Sequence, residues 1–332
     1  MSTPNLLEIR HLHTEFHTHF GSVQAVRGIS FSLKKGETIG IVGESGCGKT
    51  VTGLSILRLI PDPPGKITQG EIIFQDKNLL EIPKSELIGI RGKQISMIFQ
   101  DPISSLNPVL SIRTQMLEAL LYHTRMSKRE AELESLRLLG KVRIRSPKTI
   151  LSSYPHQLSG GMRQRVMIAM AISCKPDLLI ADEPTTSLDV TVQAQILKLL
   201  YDIQQESGSS IILITHNLAV VAGMCQRVLV FYAGKIVEDA AVEELYNKPL
   251  HPYTQGLLKA VPSLKLSQEK KLQTIPGSPP DLLKPPTGCA FHPRCQYAMK
   301  ICAQDTPILD YSNGHAVACW LYDSQNPGRK PR

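Results

Sequence analysis

One octapeptide, Gly43-Glu44-Ser45-Gly46-Cys47-Gly48-Lys49-Thr50, constrains this chain more than any other stretch. Its spacing, G-x-x-x-x-G-K-[ST], is the one that cradles phosphate groups. Before it, Thr38-Ile39-Gly40-Ile41-Val42 is a short apolar run of buried-strand type. After it, Lys49 to Ile60 place Val51, Leu54, Ile56, Leu57 and Ile60 at the spacing of a helix packed on a sheet. Strand, glycine-rich turn and helix form the context that the motif requires. The glycines let the backbone turn its N–H groups inward and approach a polyphosphate closely, and the helix start adds its positive dipole end. Lys49 is then expected on the β- and γ-phosphates and the Thr50 hydroxyl on Mg²⁺. The bland alternative, a glycine turn with a stray lysine, does not account for both flanks.

At 332 residues the chain can bury a substantial core in one large domain or two. A formal net charge of +8 admits an acidic partner, but over this length such a charge is more often a solubility setting. The one dense basic cluster is Arg329-Lys330-Pro331-Arg332. Met1 to Asn5 is polar and leads into no signal peptide, and no window reaches the roughly 18 uninterrupted apolar residues of a membrane span. A soluble or peripheral protein of the cytoplasm is expected.

Leu7-Glu8-Ile9-Arg10 and Ile29-Ser30-Phe31-Ser32-Leu33 alternate as strands do, with a turn at Lys34-Lys35-Gly36-Glu37. Between them Phe20, with Phe16 in reserve, is the aromatic placed to stack on an adenine ring. His11, His13, His17 and His19 crowd the same region without accompanying carboxylates or thiols, which suits a solvated strand face better than a metal site. Pro61-Asp62-Pro63-Pro64-Gly65 breaks the chain, and Glu71 to Phe74 and Ile95 to Phe99 read as further strands, the second ending at Gln100-Asp101-Pro102. From Ile112 to Lys141 the apolar period is helical, with a break at Ser146-Pro147.

Leu158-Ser159-Gly160-Gly161 opens an amphipathic helix, and a serine with two glycines at a helix N-terminus is a second anion site. One nucleotide cannot easily use both sites of one chain, so a dimer is expected in which each chain offers Ser159-Gly160-Gly161 to the ATP held by the other. Leu178 to Glu183 then reads as a buried strand ending in two carboxylates. Asp182 suits the surroundings of Mg²⁺, and Glu183 is placed to polarise the water that attacks the γ-phosphorus. Ser187-Leu188-Asp189 begins the next helix, and the strand Ile211 to Ile214 ends at Thr215-His216, where a histidine can contact the γ-phosphate.

With these residues in hand the chain resembles the ATP-binding cassette family. GESGCGKT is similar to its Walker A motif, Gln100 to the Q-loop, LSGGM to the signature and LLIADEP to the Walker B strand. Ser187-Leu188-Asp189 is similar to the D-loop and His216 to the switch histidine. Cys47 stands where serine is commoner and Asn217 where aspartate is usual; neither departure removes a group that hydrolysis needs. The resemblance implies an α/β P-loop ATPase with a RecA-like core, an antiparallel β subdomain and a helical subdomain at about 101–173. It places the cassette at residues 1–260 and a short cysteine-containing extension at 261–332. It implies catalytic roles for Glu183, His216 and Gln100, and Mg²⁺ held by Thr50, Gln100 and Asp182. ATP itself would be bound by Phe20, residues 43–50, Ser159, Gly160, Gly161, Asp182 and Asp189.

Three further stretches are similar to the dipeptide/oligopeptide permease ATPases: Gln100 to Pro108, Tyr154-Pro155-His156-Gln157 and His251-Pro252-Tyr253-Thr254-Gln255. Cys289, Cys295, Cys302 and Cys319 complete the likeness, falling in a tail similar to that subfamily's C-terminal extension. By their chemistry four thiols admit a four-iron, four-sulfur cluster, zinc or free thiols, although the close C-x-x-C pairs of zinc ribbons are missing; the resemblance favours the cluster. It also implies a peripheral subunit on the cytoplasmic face of the inner or plasma membrane that energises peptide uptake. Its partners would be a second ATPase subunit, two membrane permeases and, indirectly, an extracytoplasmic peptide-binding protein. A nickel importer is the rival within the class. A cassette acting on nucleic acid or the ribosome is the rival outside it, disfavoured because the chain has one cassette and no long coiled coil; no nucleic-acid partner is expected.

Overall fold

A computed structural model of the protein describes residues 4–186, 188–260, 275–312 and 314–323. Ser187 and the basic cluster Arg329-Lys330-Pro331-Arg332 lie outside them. In chain order, β1 (Asn5–Thr18) and β2 (Gly21–Lys34) precede the fully buried β3 (Thr38–Val42) and α1 (Lys49–Ile56). They are followed by β4 (Gly65–Phe74), β5 (Lys77–Asn78), α2 (Lys84–Ile90) and β6 (Ile95–Ile98). A helical stretch comes next: α3 (Pro102–Ser105), α4 (Ile112–His123), α5 (Lys128–Lys141), α6 (Pro147–Ser152) and α7 (Gly160–Ala171). Then come β7 (Leu178–Asp182), α8 (Val190–Ser207), β8 (Ser210–Thr215), α9 (Leu218–Met224), β9 (Arg227–Tyr232) and β10 (Lys235–Ala241). The remainder is α10 (Val242–Asn247), α11 (Pro252–Lys259), α12 (Lys300–Gln304), β11 (Asp310–Ser312) and β12 (His315–Val317).

These elements fall into two compact units. The first holds Lys34–Glu37 and Glu81–Leu213. In it β6 runs parallel to β7, Ile95 opposite Leu178 through Ile98 opposite Ala181, and β8 follows in the order β8-β7-β6. Strands buried on both faces read as unbroken apolar runs, which is how Leu178 to Ala181 and Ile211 to Ile214 appear in the sequence. The helical run is two helices rather than one. Ser127 ends the break with a capping box, its hydroxyl accepting from Glu130 N while the Glu130 carboxylate accepts from Ser127 N at 2.7 Å.

The second unit holds Asn5–Leu33, Thr38–Leu80 and the chain from Ile214 onward. One antiparallel sheet has the order β2-β1-β4-β5. Alongside it β3 pairs in parallel with β9, and the order β11-β12-β10-β9-β3 carries the C-terminal strands on the outer edge of β10. The helix after the glycine loop stops at Ile56, short of the Ile60 that the apolar spacing predicts. Arg58 turns into the left-handed region with φ 50°, and its guanidinium donates to Leu79 O at 3.1 Å.

Candidate nucleotide-binding site

The glycine loop connects β3 to α1 within the second unit. Gly48 is the N-cap of α1 with φ 101°, and a Cβ there would lie 2.3 Å from Ala25 O. At Gly43 a Cβ would lie 2.3 Å from Phe231 O, so both ends of the loop pack against backbone that leaves no room for a side chain. Lys49 is buried and its Nζ donates to Gly43 O and Glu44 O, each at 2.9 Å. The lysine is thus folded back on the loop that carries it. Cys47 is buried with its thiol pushed upward by desolvation, and Lys49 Nζ lies 3.8 Å from its Sγ. Ser45 and Gly46 are exposed at the crest, and Thr50 is half-buried on the first turn of α1.

Glu44 is held at three points. Its backbone N donates to the Tyr253 hydroxyl at 2.9 Å, its carbonyl accepts from Lys49, and its carboxylate meets Arg294 through Nη1 at 2.7 Å and Nη2 at 3.1 Å. Sequence reasoning gave no site role to Tyr253, although it stands in the His251–Gln255 stretch, or to Arg294; their contacts with Glu44 span the chain and leave no local spacing to signal them. His216 is exposed just beyond β8, and Asn217 caps α9 by accepting from Ala219 N at 3.0 Å. Phe20 stands 87% exposed at the β1–β2 turn, where Thr18 Oγ1 accepts from Phe20 N at 3.2 Å. Phe16 is half-buried against Gly65, its ring 2.8 Å from where a Cβ there would be.

In the first unit Asp182 is buried at the end of β7, and Glu183 follows with φ 44°. A left-handed glutamate is strained by about 1 kcal/mol or more, and such strain collects at functional positions. The structure shows what holds it: Gln100 Nε2 donates to Glu183 Oε2 at 3.1 Å, and Thr186 Oγ1 donates to the same oxygen at 2.7 Å. Thr186 is a further residue to which the sequence reading gave no site role. Ser159 is the exposed N-cap of α7, yet its hydroxyl makes no capping bond. Gly160 is exposed and Gly161 half-buried, with Val192 Cγ1 3.2 Å from where a Gly161 Cβ would stand. Asp189 caps α8, accepting from Val192 N at 2.9 Å.

A phosphate loop on a buried parallel strand, with a strand-end acid pair in an α/β unit, defines a P-loop ATPase. A family model described as ABC transporter matches residues 26–186, and one described as oligopeptide/dipeptide transporter, C-terminal region, matches residues 237–302. The chain is 52% identical to the dipeptide transport ATP-binding protein DppD of Bacillus subtilis, over 96% of each chain. It is 49% identical to the oligopeptide transport ATP-binding protein OppD of Escherichia coli, over 95% of this chain and 93% of that one. Among solved structures it matches a dimeric ATP-binding cassette, MJ0796, in a post-hydrolysis state bound to ADP and Pi. That match has a TM-score of 0.64 at 26% identity and covers 71% of this chain and 98% of the other. The chain belongs to the ABC transporter family of ATP-binding proteins.

The iron–sulfur expectation for Cys289, Cys295, Cys302 and Cys319 is overturned. Among the described residues no group of three or more His, Cys, Asp or Glu is arranged to hold a metal ion. The four thiols line one small cavity. Burial pushes the Cys289 thiol up to about 11 and the Cys319 thiol up to about 12. Cys295 accepts from Tyr297 N and Cys302 from Met299 N, each at 3.4 Å. The permease relatives above are described by peptide transport and ATP binding alone. Zinc fares no better with the same donors.

Proposed function

We propose that this chain is the ATP-hydrolysing subunit of an importer of dipeptides or oligopeptides. It works against the cytoplasmic face of a membrane beside partner permeases and a second cassette subunit. The observation that carries this reading is identity of about half to peptide-transport ATPases over nearly the whole chain, the C-terminal region included. No helix among the described residues is long and apolar enough to cross a membrane.

In this reading the loop N–H groups and Lys49 hold the β- and γ-phosphates, Lys49 exchanging its two loop carbonyls for phosphate oxygens. Phe20 offers an exposed ring to the base. Oxygen donors suit a hard cation, so Thr50, Asp182 and Gln100 are assigned to Mg²⁺, which spreads the charge of the transferring phosphoryl group when bound. Glu183 polarises the attacking water, oriented by Gln100 and Thr186. His216 contacts the γ-phosphate. Ser159, with its hydroxyl unused by its own helix, serves with Gly160, Gly161 and Asp189 the nucleotide held by the partner subunit.

Two measurements test this. Glu183→Gln is expected to bind ATP as the parent does and to lose on the order of 10²-fold or more in turnover, because only the water-polarising charge is removed. Undiminished steady-state hydrolysis would sink the assignment of Glu183. In cells, deletion of the gene is expected to abolish growth on peptides as the sole source of an essential amino acid. Unimpaired peptide growth with impaired nickel uptake would move the substrate to the metal.

A further inference from the structure

We propose that Arg294, in the C-terminal region, is a positioning residue for ATP: it holds Glu44 in place and neutralises the negative charge that Glu44 brings to the phosphate loop. The inference rests on the reading of Gly43–Thr50 as the phosphate site. A carboxylate on the second residue of that loop is an electrostatic liability, because the incoming polyphosphate is itself strongly anionic. Arg294 meets it with both Nη atoms, at 2.7 and 3.1 Å, in the fork geometry that matches a carboxylate.

The guanidinium is itself fixed. Nε donates to Pro276 O at 2.9 Å, Nη1 to the Tyr232 hydroxyl at 3.3 Å, and its carbon lies 5.9 Å from the ring centroids of Tyr232 and Phe291. The Arg294 side chain is 6% exposed and that of Glu44 24%, so solvent screens the pair weakly. Burial works against the arginine's charge, yet its bonds to Glu44 and Tyr232 raise its affinity for the proton. In the proposed mechanism Lys49 leaves the Glu44 carbonyl for the phosphates. The Tyr253 hydroxyl on the Glu44 N–H and Arg294 on its carboxylate then remain to hold the loop open.

The 332-residue chain is titrated with a fluorescent ATP analogue at low and high salt, with thermal melts on every variant. The set is the parent, Arg294→Met, Glu44→Gln, the double variant and Lys49→Ala. Arg294→Met leaves the loop carboxylate uncompensated and is expected to weaken nucleotide binding on the order of tenfold at low salt and less at high salt. Adding Glu44→Gln is expected to restore binding to within about threefold of the parent, since the repelling charge is then absent. Glu44→Gln alone removes the carboxylate while its backbone N–H stays on the Tyr253 hydroxyl and Arg294 keeps its charge, so it is expected to bind the analogue more tightly than the parent at low salt, the difference narrowing at high salt. Parent-like binding by Arg294→Met, a double variant as weak as Arg294→Met, or loss of binding in Glu44→Gln each overturns the inference alone. Parent-like binding by Lys49→Ala overturns the phosphate-site reading, and the inference falls with it.

Discussion

His251 makes the protein's stability depend on pH in a way that its surroundings fix. It is 1% exposed at the N-cap of α11, where its Nδ1 accepts from Tyr253 N at 3.1 Å. The proton of the neutral ring therefore sits on Nε2. Burial pushes its pKa down from 6.5 to about 4, against the upward pull of Glu238. A cation at a helix N-terminus also opposes the dipole, and protonating Nδ1 would break the cap. Other ionisable groups near it are Tyr253 on its own helix and, lining a shared cavity, His292, Tyr297 and the thiols of Cys289, Cys295, Cys302 and Cys319. Because the folded pKa lies below the unfolded one, the unfolded chain binds more protons between the two values. The stabilisation is whole above about pH 6.5 and is lost as pH falls toward 4, amounting to about 3 kcal/mol over the full window and about 2 kcal/mol by pH 5. Urea unfolding from pH 7 to 5 measures it, comparing the parent with His251→Asn. Asparagine keeps an acceptor for the cap and removes the titration. Carboxylates shared by both proteins cancel in the difference, so the variant's profile is expected to be flatter by about 2 kcal/mol. Parallel profiles would refute the reasoning. The consequence reaches the nucleotide, because α11 carries the Tyr253 hydroxyl that takes the Glu44 N–H.

Two further outcomes follow from single positions. Gly48→Ala puts a Cβ 2.3 Å from Ala25 O at a φ of 101°, so the loop must shift; a melt is expected to show a loss of at least about 2 kcal/mol, with ATP binding lost as well. Phe20→Ala removes a ring that is 87% exposed, so the melt is expected to stay where it was while ATP affinity falls on the order of tenfold. Unchanged affinity would take Phe20 out of base stacking.

What the sequence made legible was local. A fully buried parallel strand has to be an unbroken apolar run, and β3, β7 and β8 announced themselves that way. Backbone packed closely on backbone needs glycine, and Gly43 and Gly48, against Phe231 O and Ala25 O, carried that signal. The break between α4 and α5 was also written locally, in Ser127 and Glu130, but apolar residues continuing on both sides masked it. Contacts across the chain left no such trace: Arg294 reaches Glu44 over 250 positions, and neither residue sits in a pattern that names the other. The cysteines misled for a related reason. Their number and crowding predicted a ligand set, whereas ligation depends on how the side chains converge in space, and among the described residues no such group is arranged to hold a metal ion.

The placement of the C-terminal residues gives them more than a tether's role. β12 pairs with the outer edge of β10, Glu238 opposite Val317 and Asp239 opposite Ala316. Glu238 is fully buried there and accepts from Leu250 N at 2.7 Å and His251 N at 3.0 Å, with His315 Nε2 at 2.8 Å. A buried carboxylate without those partners would cost several kcal/mol, so the strand that supplies His315 is part of what lets Glu238 organise the start of α11. That start positions Tyr253, and Tyr253 with Arg294 holds Glu44. The region after α11 therefore takes part in the packing that shapes the phosphate loop: it covers the edge of β10, satisfies Glu238 and closes on the loop's second residue. Substitutions at Arg294 or His315 are therefore expected to reach nucleotide binding through Glu44.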